Sequence, residues 1–236
     1  VQMILDEVDR VTQDHIESGR KKVRGIPLFV GEDHNGKKWI QRNPFTSLYS
    51  QKMSAFIHAP RFEPIRKLIG DDARIGEDEC DGLVVNRYMN IPGGAYPRLG
   101  WHTDGLRDLF FLQKPAPYLN VGLHLDRCYR DNGGLRLLPG THKQGVMGFL
   151  FKKPYFVSHG EDPNEVCVET EPGDLTVHDG RLWHRVARST HEGEKSLRRA
   201  MYVPYHTGPL KKKTESSSTP IYHTLGSVIR RVRGSV

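Results

Sequence analysis

The segment Glu171-Pro172-Gly173-Asp174-Leu175-Thr176-Val177-His178-Asp179-Gly180-Arg181-Leu182-Trp183-His184 decides how this chain is read. A Pro-Gly-Asp turn feeds a short β-prone run that ends on a histidine. Outward from it the same texture fills the chain from Gly82: LVVNRYM before IPGG, YLNVGLHL before RDNGGLRLLPG, and RRAMYVPY after residue 197. Short β-prone runs punctuated by Gly and Pro predict an antiparallel sandwich or barrel.

The first 75 residues read differently. Val8, Val11 and Ile16 recur at near-helical spacing, as do Phe56, Ile57, Phe62, Ile65, Leu68 and Ile69 before Gly70, which predicts packing helices. HNGKKWIQ, from His34 to Gln41, places Asn-Gly in a turn ahead of a short strand. With 236 residues, 36% hydrophobic and 27% charged, the chain suits one large domain and excludes global disorder and membrane insertion. No window approaches the roughly 18 apolar residues of a spanning helix. VQMILDEVDRVTQDHI also lacks the apolar stretch of a signal peptide, so a cytoplasmic protein is expected. The chain starts at Val rather than Met, which leaves an upstream segment open. Cys80, Cys128 and Cys167 are far apart, without the paired spacings of a zinc knuckle or redox motif, and predict reduced thiols.

The net charge of +7 is uneven. Residues 195–236 carry nine Lys or Arg against the single acid Glu215, so the remainder is close to neutral. A basic excess confined to one segment does not make a nucleic-acid-binding domain, and no specific nucleic-acid partner is expected. The ordinary reading is a solvated tail. The functional alternative is a patch that draws an acidic substrate or touches an anionic surface peripherally. KKKTESSSTP, residues 211–220, reads as an exposed loop.

Trp101-His102-Thr103-Asp104-Gly105 follows the Pro92-Gly93-Gly94 turn. In an extended segment His102 and Asp104 project to the same side, because side chains alternate along a strand. Alone, this spacing is that of an ordinary hydrogen-bonded pair. His184 changes the weighing, because two histidines and one carboxylate on one face of iron leave the open positions that non-heme Fe(II) oxygenases require. His178, six residues earlier in the same block, is the rival ligand, or else a strand-packing or hydrogen-bonding group.

The order WHTDG, NVGLHLDRCYRDNGGLRLLPGTHKQG, EPGDLTVHDGRLWH, LRRAMYVPY resembles the phytanoyl-CoA dioxygenase (PhyH-like) branch of Fe(II)/2-oxoglutarate dioxygenases over residues 82–205. The resemblance implies a mainly β fold with supporting N-terminal helices, a double-stranded β-helix of the jelly-roll or cupin-like barrel type. It implies one domain over 1–236, with 1–75 as helical support, 82–205 as the barrel core and 206–236 as a basic C-terminal segment. It implies Fe(II) bound by His102, Asp104 and His184, with 2-oxoglutarate and dioxygen as cosubstrates. The expected activity is hydroxylation of an unactivated C–H bond in a small molecule, an acidic one included, with release of succinate and carbon dioxide. The family block ends on the ligand histidine, which selects His184 over His178.

In the family an arginine of a barrel strand holds the distal carboxylate of 2-oxoglutarate, and the matching position is Arg198. Arg199 then points the other way, unless a bulge exchanges the two. Asn120 and His124 share a face with Tyr118 that by analogy lines the cavity. Asn120, His124 and Tyr88 are thus candidates for contacting 2-oxoglutarate or substrate, with packing as the alternative. The sequence departs from the family at Val186, where many members carry a small serine that assists the cosubstrate, so that hydroxyl must come from elsewhere. Asp104 stands where related halogenases carry Gly or Ala, which implies hydroxylation and not chlorination. Asn132-Gly133-Gly134 and Pro139-Gly140 read as structural turns, and Trp101 and Trp183 as packing residues turned away from the metal. The competing readings are a jelly-roll module that binds metal or acid without turnover, and a nucleic-acid-demodifying dioxygenase.

Overall fold

The computed structural model describes residues 1–33, 35–92, 97–105 and 117–220. Helix α1 (Gln2–Glu17) opens the chain and buries Val8 and Val11, as their spacing predicts, together with Ile4, while Ile16 is half-buried. Strands β1 (Lys22–Val23) and β2 (Ile26–Pro27) form one antiparallel hairpin, and β3 (Val30–Glu32) and β4 (Lys38–Ile40) a second. In the second, Asp33 Oδ1 accepts from the backbone N–H of Asn35 and of Lys37, each at 2.9 Å, which closes the turn before β4. His34 lies outside the described residues.

Strand β5 (Arg42–Asn43) is followed by helices α2 (Gln51–Ile57) and α3 (Glu63–Arg66). Ser50 caps α2 by accepting from Met53 N at 3.2 Å. The apolar spacing from Phe56 to Ile69 is not one helix, because Ala59 stands before Pro60 and is extended, with ψ 142°. Phe56, Ile57, Ile65 and Ile69 still reach the core, whereas Leu68 turns outward and is exposed.

The chain then runs through β6 (Arg74–Ile75), β7 (Val84–Tyr88), β8 (Leu99–His102), β9 (Tyr118–His124), β10 (Gly134–Leu137), helix α4 (Val146–Phe151), β11 (Val166–Cys167), β12 (Leu175–Asp179), β13 (His184–Ala187) and β14 (Arg198–His206). Gly93 and Gly94 of the expected turn lie outside the described residues. One sheet has the order β12-β9-β14-β7-β5 with β6 beside β14, and the other β11-β10-β13-β8. From β7 to β14 the chain passes back and forth between the two sheets, and that winding is the double-stranded β-helix. The N-terminal 75 residues supply more than helices, since β5 extends the larger sheet and β6 pairs with β14.

Alternation gives the larger sheet two chemically distinct faces. Val121, Met201 and Val203 turn outward and pack with Val8, Met53 and Ile57, and each such burial contributes about 1.5–3 kcal/mol. The opposite face carries Tyr88, Asn120, His124, Arg198 and Tyr202, which turns the barrel interior polar. Trp101 and Trp183 are fully buried with Leu138, away from the site, as expected.

The 211–220 loop is exposed but tethered. Lys213 N donates to Asp78 O, Arg24 Nη1 donates to Lys213 O, and Tyr49 OH donates to Glu215 Oε1 at 2.7 Å. Lys212 Nζ lies 2.9 Å from Asp78 Oδ2, a surface ion pair. Arg230, Arg231 and Arg233 lie outside the described residues. The three cysteines are free thiols, and among the described residues no helix is long and apolar enough to cross a membrane.

Candidate functional site

Strands β8 and β13 are antiparallel neighbours, and their register sets His102 directly opposite His184. Directly opposed residues share a face, so the two rings stand 4.1 Å apart between centroids. Asp104 lies just past β8, where its N–H and that of Gly105 donate to Gly180 O in the turn joining β12 to β13. Its Oδ1 is 4.0 Å from His102 Nε2, and its Oδ2 is 3.8 Å from His184 Nε2. Among the described residues this is the one group of metal-binding side chains that converges, with ligand atoms within 4.8 Å of one another. A metal with bonds of about 2 Å sets such donors about 3 Å apart, so the three side chains converge on one point and would draw in by about 1 Å around an ion.

Backbone carbonyls orient both rings. His102 Nδ1 lies 2.8 Å from Gly100 O, and His184 Nδ1 lies 3.0 Å from Leu182 O. These contacts place the proton on Nδ1 and turn each Nε2 lone pair toward Asp104. Burial lowers the pKa of His102, and burial together with the adjacent His102 brings His184 down to about 3. Burial by itself would raise the Asp104 carboxyl, but His184, His178 and His102 outweigh it wherever they carry the extra proton and hold the group well below the usual carboxylate range. Neutral imidazoles and a charged carboxylate are the protonation states that a metal requires.

The sequence-predicted neighbours fall into place around this group. Asn120 Nδ2 donates to Asp104 Oδ2 at 3.0 Å. His178 is buried on the same interior face, with Nε2 3.8 Å from that oxygen, but it stays outside the three-residue cluster. Phe156, which nothing in the sequence singles out, stacks on His102 at 5.0 Å between centroids. It sits in the left-handed region at φ 60°, and its backbone passes so close to Gly100 that a Cβ there would lie 2.6 Å from Phe156 C and O.

A cleft farther along the barrel is lined by Tyr88, His124, Val186, Arg198, Ala200 and Tyr202. Arg198 is buried, and its guanidinium donates to Ala187 O (2.8 Å), Ser196 O (3.2 Å) and Pro97 O (3.2 Å). No ion pair to a carboxylate is formed by Arg198 among the described residues. Arg199 points the other way and grips Asp126 with two bonds of 2.8 Å, and β14 pairs with β7 from Arg198 to Tyr202 without a bulge. Tyr88 stands beside Arg198, and burial pushes its hydroxyl up to about 12. Tyr202 was not anticipated, although alternation from Arg198 through Ala200 identifies it. Gly133 proves more than a turn residue: at φ 93° it leaves room for Arg198, whose Nη1 would stand 2.2 Å from an added Cβ.

His124 meets Thr176 Oγ1 at 3.1 Å, and burial lowers its pKa to about 4, with Asp174 opposing and His178 adding to the shift. Between pH 6.5 and 4 the unfolded chain therefore binds this proton and the folded chain does not, so stability falls as pH falls. The expected loss from pH 6.5 to 5 is about 2 kcal/mol. Denaturant melts of the metal-free protein should show it, and His124→Gln should flatten the slope by that amount.

A double-stranded β-helix with two histidines and a carboxylate converging inside it defines the class. The phytanoyl-CoA dioxygenase (PhyH) family profile matches residues 50–199, and the chain belongs to that family. Among curated proteins it is 26% identical over 161 residues to the dioxygenase af480 of Aspergillus fumigatus, covering 64% of this chain and 47% of that one. It is 24% identical over 195 residues to the probable alpha-ketoglutarate-dependent hypophosphite dioxygenase of Stutzerimonas stutzeri, covering 76% and 64%. The chain thus spans about half to two thirds of the length of these relatives. Similar solved structures include the epimerase SnoN in complex with Fe3+, alpha ketoglutarate and nogalamycin RO, with TM-score 0.58, 16% identity and coverage of 91% and 77%. AviO1 from Streptomyces viridochromogenes Tue57 gives TM-score 0.57, 16% identity and coverage of 89% and 85%. At these identities the structural likeness speaks to the fold.

Proposed function

We propose that this protein is an Fe(II)/2-oxoglutarate-dependent dioxygenase that hydroxylates an unactivated C–H bond of a small molecule and releases succinate and carbon dioxide. The observation that carries the reading is the convergence of His102, Asp104 and His184, three side chains whose donor set suits Fe(II) and leaves positions open. Bound there, Fe(II) and 2-oxoglutarate supply the dioxygen chemistry that no side chain of this chain possesses.

The chain's own residues bind and orient. His102 and His184 present Nε2 to the metal, and Asn120 steadies the Asp104 carboxylate that completes the set. Arg198 offers a buried guanidinium whose planar fork matches the distal carboxylate of 2-oxoglutarate. Tyr88 and Tyr202 line the same cleft as Val186, which stands at the family's serine position. Asp104 occupies the carboxylate position, so the expected product in chloride buffer carries a hydroxyl and no chlorine, as mass spectrometry would report. The free thiols suit a reducing, cytoplasmic setting.

The decisive experiment is a screen of candidate small molecules for stimulated succinate formation by the Fe(II)-loaded protein. Succinate that depends on iron and 2-oxoglutarate and rises with one compound is expected. No succinate with iron and ascorbate present would instead favour a non-catalytic binding module. Gly133→Ala tests the cleft separately. Displacing Arg198 should raise the 2-oxoglutarate KM by about tenfold or more, and the strained backbone should lower stability by about 1–3 kcal/mol.

A further inference from the structure

His178 does not belong to the three-ligand cluster, yet the fold has built it into the same place. It pairs with Asn120 in the β12–β9 register, so the two side chains are cross-strand neighbours on the interior face. Asn120 Nδ2 already donates to Asp104 Oδ2, and His178 Nε2 lies 3.8 Å from that same oxygen. At this distance no hydrogen bond is made. The residue is 6% exposed, both of its ring nitrogens are closed off from solvent, and neither has a hydrogen-bond partner among the described residues. His184 stands edge-on to it at 5.0 Å and fixes its plane. A buried N–H left unmade requires an explanation, and a phenylalanine would fill this space without that cost.

We propose that His178 is a positioning residue for the metal-binding carboxylate: its Nε2–H closes on Asp104 Oδ2 and, with Asn120 Nδ2, fixes the orientation in which Asp104 meets the metal. A shift of about 1 Å brings the pair to hydrogen-bond distance. Solvent does not reach either ring nitrogen, which makes Asp104 the partner within the protein and sets His178 apart from groups awaiting substrate. The inference rests on the metal site proposed above. Outer partners of metal ligands set affinity by locking the ligand in place, and removing one costs about 10- to 100-fold.

The test is Fe(II) and Co(II) titration of the full chain under anaerobic conditions, with thermal unfolding of each metal-free variant as the folding control. His178→Phe keeps a ring and removes the donor, and its metal dissociation constant should rise about 10- to 100-fold. His178→Gln, whose amide reaches the position of Nε2, should restore most of the affinity. If His178→Phe does not fold, His178→Asn, whose amide stops short of Asp104, should show the same loss. Unchanged metal affinity in His178→Phe, or equal losses in the Phe and Gln variants, would overturn the proposal. Asp104→Ala and His184→Ala separate the two readings. Retained affinity in those variants refutes the metal site itself, whereas loss there with none in His178→Phe refutes only the role of His178.

Discussion

Asp104→Ala and His184→Ala are each expected to abolish Fe(II) retention at micromolar metal and, with it, 2-oxoglutarate-dependent succinate formation. The size of the effect follows from the donor set. Three side chains would hold the ion, and their ligand atoms converge within 4.8 Å because β8 and β13 place His102 opposite His184 and the Gly180 carbonyl anchors Asp104. With one removed, two ligands remain and hold the ion weakly. His102→Ala should behave alike, and it also removes the ring's contacts with Gly100 O and Phe156. Equilibrium dialysis against Fe(II) is the measurement. If His178→Ala abolished binding while His184→Ala left it intact, the distal ligand would be His178.

Arg198→Ala is expected to raise the 2-oxoglutarate KM by about 30-fold or more, the equivalent of roughly 2 kcal/mol at the lower end of the 2–5 kcal/mol that truncating a buried charged partner costs. The guanidinium is buried, three carbonyls aim it, and no carboxylate of the described residues pairs with it, so in the proposed role a bound carboxylate would supply the counter-charge. Arg198→Lys should recover only part of the loss, because an ammonium keeps the charge and loses the two-pronged geometry. Arg199→Ala should leave the KM unchanged, since its guanidinium is already paired with Asp126. Steady-state kinetics in 2-oxoglutarate separates the three. An unchanged constant in Arg198→Ala would remove the clamp from this residue.

What the sequence determined by itself is what depends on neighbours along the chain. The period of two placed His102 beside Asp104, separated Arg198 from Arg199 and turned Trp101 and Trp183 into the core, because alternation is a local property of an extended backbone. The helical spacing of Val8 and Val11 was legible for the same reason, whereas the break at Pro60 was missed because the apolar spacing runs on across it. Only the tertiary structure decided which residues distant in sequence meet. It brought His184 rather than His178 into the cluster, laid Phe156 on His102, cleared a space at Gly133 for Arg198, and set Asn120 on Asp104. Each of these contacts joins segments separated by 16 to 82 residues. The register of the strands and the packing of one sheet on the other fix them, and neither leaves a periodic trace in the chain.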